Sequence, residues 1–334
     1  MSTGKWWGEH DGIDFPHVIL SQQFSRDQLE RFFQLTQVIG REIKSKRKVD
    51  WLWGNIVSIL FFQPSTRTYF SFWRAALSLG ADVMASENAG QFSSAIKGEA
   101  LRDMARVMSG KSKMIIIRHP EMGSAREMSN FSLVPVINGG DGPGQHPTQA
   151  LLDVYTIQKV FGKIDNLKIA LVGDLANGRT VRSLCYLLSK FENVEIFFVS
   201  PETLKMKQDI KDHLNENKIK WSEETDLEKV AKRVKVIYQT RLQKEWFSSK
   251  EEYEAVRGIY IITKDIVNLM PEDGIILHPL PRVDEIRYGV DKSKKAKYFE
   301  QADNGDYVRM ALLLAALNPT KAEELMVMPL DKAA

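Results

Sequence analysis

A chain of 334 residues is long for one hydrophobic core and sufficient for two domains of ordinary size. Its composition, 43% hydrophobic and 27% charged with a net charge of +3, is that of a soluble globular protein. The basic runs at 44–48 and 292–295 lack interleaved aromatics, which argues against nucleic-acid binding. No apolar run approaches the roughly 18 residues of a membrane span, and Met1 to Trp7 holds no signal-peptide core, so the expectation is a cytoplasmic enzyme. The single cysteine, Cys185, excludes an internal disulfide framework and is expected in the core.

Residues 1–50 hold a lead-in and one amphipathic helix, with Leu29, Phe32, Phe33, Leu35 and Ile39 at its apolar positions. Ile56 to Phe62 reads as a buried strand closed by Pro64. After the proline the period changes, and Phe70, Trp73 and Leu77 fall on one face of a helix that ends at Gly80. Ser65, Thr66, Arg67 and Thr68 therefore sit where a strand stops and a helix begins. Orphaned backbone N–H groups and the positive end of the helix dipole converge there, and three hydroxyls and a guanidinium join them. The alternative is a plain N-cap, for which one side chain would suffice. An anion site, for phosphate, is the preferred reading.

A polar loop from Ser86 to Gly98 contains Ser93 and Lys97; loops of that length on a compact domain usually serve function or mobility. A helix from about Glu99 to Met108 and a strand from Met114 to Ile117 follow. The strand delivers Arg118, His119 and Pro120 at its C-terminal end, where open α/β sheets place ligand-binding groups. A strand from Val134 to Ile137 then runs into Asn138 to Gly144, a segment too rich in glycine to expect regular structure. His146 stands at the start of the next helix, Ala150 to Phe161, either as a cap or as a functional imidazole.

The second half alternates strands and helices. Strands are expected at 168–172, 195–199, 234–238, near 258–263 and at 274–277, with a final apolar helix from Tyr307 to Leu317. This alternation implies two doubly wound parallel-sheet α/β domains, joined near residues 146–165, with an active-site cleft between them. Gly173 to Thr180 nearly matches a phosphate-binding P-loop, but Arg179 replaces the lysine, and a planar guanidinium is a poor substitute for a compact ammonium. Arginine suits bidentate grip of a carboxylate. Arg241, directly after the strand ending at Tyr238, invites the same reading. Either could be a surface ion-pair partner; two at strand ends of one domain point to a ligand with two carboxylates. No G-x-G-x-x-G opens a helix after a strand, and His119, His146 and His278, each followed by proline, are too scattered to argue for a metal or a dinucleotide cofactor.

In combination, Pro64 to Thr68, Lys97-Gly98-Glu99, Arg118-His119-Pro120, His146 to Asp153, Gly178 to Val181 and His278 to Ile286 resemble the aspartate carbamoyltransferase catalytic chains, within the aspartate/ornithine carbamoyltransferase family. The motifs occur in the family's order from about Phe61 to Leu317. Ornithine-type members usually carry a cysteine in the counterpart of His278-Pro279-Leu280-Pro281, which is absent here. The resemblance implies transfer of the carbamoyl group of carbamoyl phosphate to L-aspartate in pyrimidine synthesis, without cofactor or metal. It implies a carbamoyl-phosphate-binding domain at 1–150, completed by a C-terminal helix at 305–334, and an aspartate-binding domain at 151–304.

It further implies that Ser65, Thr66, Arg67 and Thr68 hold phosphate, while Arg118, His146 and Thr68 point at the carbonyl oxygen. Gln149 and the Pro279 carbonyl would hold the carbamoyl nitrogen. Arg179, Arg241 and Gln243 would take the aspartate carboxylates, and the Leu280 carbonyl would face the amine. The loop with Ser93 and Lys97 would reach the site of a neighbouring subunit in a homotrimer, and the resemblance is compatible with further regulatory or enzyme subunits.

Four positions depart from the pattern. Gln63 and Trp73 stand where the family has glutamates, and Tyr69 and Trp246 where it has arginines. Tyr69 and Trp73, spaced i to i+4, make an aromatic pair in place of an ion pair. With the charges at 63 and 246 gone, domain closure is expected to use different contacts. Two further readings stay open at this point: transfer to another amino-acid acceptor, with Trp246 reshaping the pocket, and a weakly active homologue serving as a binding partner.

Overall fold

The computed structural model describes residues 16–46, 48–92, 98–242, 247 and 249–327, so Ser93, Lys97, Gln243 and Trp246 lie outside the described residues. The chain divides into two compact units, Met1–Leu151 with Asn304–Ala334, and Leu152–Asp303.

The first unit runs α1 (Arg26–Lys46), β1 (Ile56–Phe61), α2 (Thr66–Ser78), β2 (Asp82–Ser86), the single turn α3 (Ala89–Phe92), α4 (Leu101–Ser109), β3 (Met114–His119), α5 (Ser124–Phe131), β4 (Val136–Asp141) and the start of α6 (Pro147–Phe161). Its four strands are parallel, in the order β2-β1-β3-β4. Ile115, Ile117 and Val136 meet Met104, Ala105, Ala125 and Met128 of α4 and α5 in one core cluster. The expected apolar positions of α1 are all buried.

Three expectations change here. Phe70 and Leu77 are 55% and 43% exposed, whereas Tyr69, Phe72, Ala75 and Ala76 are buried. The sheet selects the face of α2 with alanines, because small residues let a helix lie close to a strand, and the stripe read from periodicity faces outward. Asn138 to Asp141, expected to be irregular, continue β4 as a fully buried strand. There, Gly139 comes so close to the Ile117 carbonyl that a Cβ would lie 3.2 Å from it. Arg118 and His119 belong to β3 itself rather than following it.

The second unit continues with β5 (Lys168–Val172), α7 (Arg179–Leu188), β6 (Glu195–Val199), α8 (Gln208–Glu216), β7 (Lys220–Glu224), α9 (Leu227–Ala231), β8 (Val236–Gln239), α10 (Lys250–Val256), α11 (Lys264–Leu269) and β9 (Ile275–Leu277). Then α12 (Tyr298–Leu317) crosses from the second unit's residues back into the first's, and α13 (Pro319–Met326) follows. The sheet is parallel, in the order β7-β6-β5-β8-β9. Ala170, Val172, Phe197, Ile237 and Ile276 share its core with Val230 and Ile266. Cys185 is buried, and burial pushes its thiol up beyond ordinary titration. The strand expected near 258–263 is reduced to a bridge between Ile262 and Ile286. No helix of the described residues is long and apolar enough to cross a membrane.

Candidate active site

In each unit, the expected binding residues among those described gather at the carboxyl edge of a parallel sheet. In the first, β1 and β4 both flank β3, so the segments leaving their C-terminal ends are neighbours. From β1 the chain passes into α2. Ser65 is the N-cap, but its side chain makes no capping hydrogen bond. The first intrahelical bond runs from the Tyr69 N–H to the Ser65 carbonyl at 3.0 Å, so the helix leaves its earlier N–H groups to whatever lies beyond its end. Thr66 and Arg67 are exposed at that end and Thr68 is buried, its hydroxyl 3.5 Å from His146 Nε2.

Arg118 is 9% exposed, and its guanidinium donates to the Gly139 carbonyl at 3.2 Å. That contact anchors a cation on the neighbouring strand. His119, next to it, packs its ring on Phe62 at 4.9 Å, and its Nδ1 accepts the Glu121 N–H, so it serves structure.

The turn between β4 and α6 delivers His146 and Gln149. Asp141, which sequence reasoning passed over, organises it. One carboxylate oxygen accepts the Gln145 N–H at 2.7 Å and the other accepts the Gly123 N–H at 3.0 Å. Gly142 has φ +47°, and a Cβ there would lie 2.2 Å from the Pro120 carbonyl, so only glycine fits. The Gln145 side chain closes the turn by accepting the Ser21 N–H at 2.7 Å. His146 is thereby held buried at the N-terminus of α6, where its carbonyl accepts from Gln149 and Ala150. Thr68, Arg118, His146 and Gln149 are all buried side chains of this one unit.

In the second unit, β5, β8 and β9 are adjacent and parallel, and each hands on one expected segment. After β5, Gly173 at φ +110° passes so close to β8 that a Cβ would lie 2.6 Å from the Thr240 carbonyl. Buried Asp174 accepts the Asn177 N–H at 3.0 Å and shapes the loop that presents Arg179, the first residue of α7. After β8, Thr240 bonds the Val172 carbonyl, and partly exposed Arg241 follows. Arg241 borders a cavity of about 220 Å³ shared with Gly173, Tyr253, Tyr260 and Glu285.

After β9 come Pro279 and Leu280. Leu280 has φ +56°, a left-handed backbone that non-glycine residues seldom adopt. His278 supports it: Nδ1 accepts the Leu280 N–H at 2.7 Å, and Nε2 lies 2.7 Å from Glu285. With Nδ1 accepting, the ring proton sits on Nε2 and is donated to the carboxylate. Burial alone would raise the Glu285 carboxyl; the His278 hydrogen bond and the Val283 N–H outweigh it and hold it below the usual carboxylate range. Arg282, a further cation of this motif, is engaged elsewhere, pairing with Asp291 at 2.6 Å and lying over the Tyr288 ring.

Tyr69 and Trp73 are an aromatic pair, their centroids 5.6 Å apart in an edge-to-face arrangement. Tyr69 also contacts Phe61 at 5.4 Å, so the ring packing extends from α2 to β1.

The family model described as "Aspartate/ornithine carbamoyltransferase, carbamoyl-P binding domain" matches residues 16–159, and "Aspartate/ornithine carbamoyltransferase, Asp/Orn binding domain" matches residues 165–316. The chain is 52% identical over 302 residues to the chloroplastic aspartate carbamoyltransferase of Arabidopsis thaliana, covering 90% of this chain and 77% of that one. The catalytic subunit of Methanocaldococcus jannaschii aspartate transcarbamoylase superposes with a TM-score of 0.85 at 44% identity, covering 92% of this chain and 99% of that one. Aspartate transcarbamoylase from Trypanosoma cruzi, in complex with carbamoyl phosphate and aspartate, superposes with a TM-score of 0.84 at 35% identity, covering 90% and 96%. Two matched domains, two parallel sheets and motifs in shared order lead to one conclusion: the chain belongs to the aspartate/ornithine carbamoyltransferase family, on its aspartate carbamoyltransferase side.

Proposed function

We propose that the chain transfers the carbamoyl group of carbamoyl phosphate to the amine of L-aspartate, giving N-carbamoyl-L-aspartate and phosphate, as a step of pyrimidine synthesis. The observation that carries this reading is that one unit has a helix terminus without a side-chain cap at its sheet edge and the other has two arginines after its strand ends. The two carboxyl edges serve one reaction, the first as the carbamoyl-phosphate half and the second as the aspartate half.

The chemistry follows from the groups. The aspartate amine attacks the carbonyl carbon, a C–N bond forms and negative charge builds on the carbonyl oxygen. Thr68, Arg118 and His146 donate to that oxygen, and fixed donors of this kind are worth most where water is excluded. Collapse breaks the bond from carbon to the phosphate oxygen. Ser65, Thr66, Arg67 and the N-terminus of α2 hold the phosphate oxygens, which accept the amine proton as the bond breaks, so that phosphate departs as its protonated dianion. Gln149 and the Pro279 carbonyl orient the carbamoyl nitrogen, and the Leu280 carbonyl orients the amine. Arg179 and Arg241, with Gln243, grip the two carboxylates. Holding together two anions that repel in solution supplies much of the acceleration.

We assign Ser93 and Lys97 to a loop completing the site of a neighbouring copy, in a homotrimer. We assign the enzyme to the cytoplasm, with the plastid, named for the Arabidopsis relative, as the competing location to be separated by fractionation. The decisive assay offers aspartate and ornithine with carbamoyl phosphate: turnover with aspartate alone is expected, and turnover with ornithine instead would overturn the acceptor assignment. Replacement of Arg67 by alanine must slow product formation; an unchanged rate would remove the phosphate site from the mechanism.

A further inference from the structure

Asp153, on α6, is fully buried, and the proposed chemistry gives it no task. A buried carboxylate is costly unless it is well bonded, and replacing such groups by apolar residues is often neutral or stabilising. Both of its oxygens are in fact used. Oδ2 accepts the Tyr238 hydroxyl at 2.7 Å, and Oδ1 accepts the Gln301 side-chain N–H at 2.6 Å.

Each partner passes the constraint on. The Thr180 hydroxyl bonds to the Tyr238 oxygen, and Thr180 is the residue after Arg179 in the first turn of α7. Burial, and then the Asp153 charge, keep the Tyr238 proton in place by raising its titration well above the ordinary range. On the other arm, Gln301 Oε1 accepts the His278 N–H at 2.8 Å, and His278 Nδ1 accepts the N–H of Leu280. One carboxylate thus ends two polar chains. One chain reaches the turn that presents Arg179, and the other reaches the left-handed Leu280. A backbone of that kind is strained for a residue with a side chain and persists only where its surroundings determine it.

We infer that Asp153 is a positioning residue for the acceptor half of the site, fixing the Arg179 turn through Tyr238 and the Pro279–Leu280 turn through Gln301. This rests on the proposed aspartate role of those turns. It assigns a functional cause to a buried charge 148 residues away in sequence from its Gln301 partner.

Asp153→Asn tests it. The asparagine can still accept from Tyr238, but its amide then faces the Gln301 amide, donor against donor. Turning the Gln301 amide over only moves the clash to the His278 N–H, and turning the asparagine over takes the acceptor away from the Tyr238 hydroxyl proton, so one arm is lost either way. The aspartate KM is expected to rise about tenfold, the effect of about 1.4 kcal/mol, while the dissociation constant of carbamoyl phosphate changes by less than about threefold.

Adding Gln301→Glu restores both arms, because the asparagine amide donates to one glutamate oxygen and the His278 N–H to the other. The double variant should recover most of the aspartate KM. A thermal melt run alongside reports the purely structural share. If the single variant only lowers the melting temperature, or the double variant regains stability without regaining KM, the positioning role is wrong. Should the single variant fail to fold, Tyr238→Phe cuts the first arm alone; an unchanged aspartate KM there would equally overturn the inference. A wild type that does not turn over aspartate would instead sink the proposed function, so the two failures are distinguishable.

Discussion

The two sheet edges solve similar problems by different means. In the first unit, Thr68, Arg118, His146 and Gln149 are themselves buried, set on β3, on the first turns of α2 and α6 and on one turn locked by Asp141. In the second, Arg179, Arg241, Pro279 and Leu280 are partly exposed, and the burial lies behind them in Asp153, Tyr238, Gln301 and His278. A small donor whose charge shifts during reaction is served by fixed groups in place beforehand. An acceptor that must enter and leave is served by side chains at the surface, steadied from below. Substitutions in the first unit should therefore act on turnover, and those in the second on aspartate binding.

The largest effect expected is that of Arg118→Ala. Loss of one preorganised donor to a developing oxyanion costs about 10²–10³ in kcat. Steady-state kinetics should show that fall with the aspartate KM shifted only a few-fold; an equal loss in both parameters would dissolve the distinction between the units. Arg241→Ala comes next. A charge-assisted bond to carboxylate contributes about 1.5–3 kcal/mol, so the aspartate KM should rise about 10- to 100-fold while kcat at saturation stays within a few-fold. A collapse of kcat with KM unchanged would place Arg241 on the reacting atoms instead.

A pH experiment sharpens the comparison from the stability side. His17 accepts the Val136 N–H on Nδ1 at 2.9 Å, and burial, assisted by Arg126, depresses its titration to about 4. The unfolded chain takes up this proton near the ordinary value of 6.5 and the folded chain does not. Stability is therefore fully present above about pH 6.5 and drains as pH falls toward 4, at about 1.4 kcal/mol per pH unit. His17→Asn keeps an acceptor for Val136 and removes the proton site. Denaturant melts should show wild type losing about 2 kcal/mol relative to the variant between pH 7 and 5, and parallel curves would refute the buried neutral imidazole.

The same contrast explains what the sequence made legible. Ser65 to Thr68 are contiguous, so a strand, a proline and a change of period sufficed to mark a helix terminus there. The arginines after β5 and β8 announced themselves as cations at strand ends. β7 did not, because Lys-Trp-Ser-Glu-Glu is a half-exposed edge strand without an apolar run. The glycines of β4 read as irregular because their purpose, close approach to β3, is a tertiary fact. The face of α2 was misjudged for a related reason: counting apolar side chains favours Phe70 and Leu77, whereas contact with a sheet rewards the small Ala75 and Ala76. Gln301 left no local signature and Asp153 stood only at the end of a motif without a task, since their bonds to each other and to Tyr238 are tertiary.

The smallest effect concerns α2, where Tyr69 and Trp73 form an aromatic pair. Edge-to-face rings contribute about 0.5–1.5 kcal/mol beyond the area they bury. A double-mutant cycle with Tyr69→Leu and Trp73→Leu should return a coupling in that range. An i to i+4 ion pair on an exposed helix would lose most of its smaller coupling in strong salt, because the Debye length falls to about 3 Å at 1 M. Ring packing carries no net charge to screen, so the coupling should be the same at low and high salt. A salt-sensitive value would mean that charge, rather than ring packing, couples the two positions.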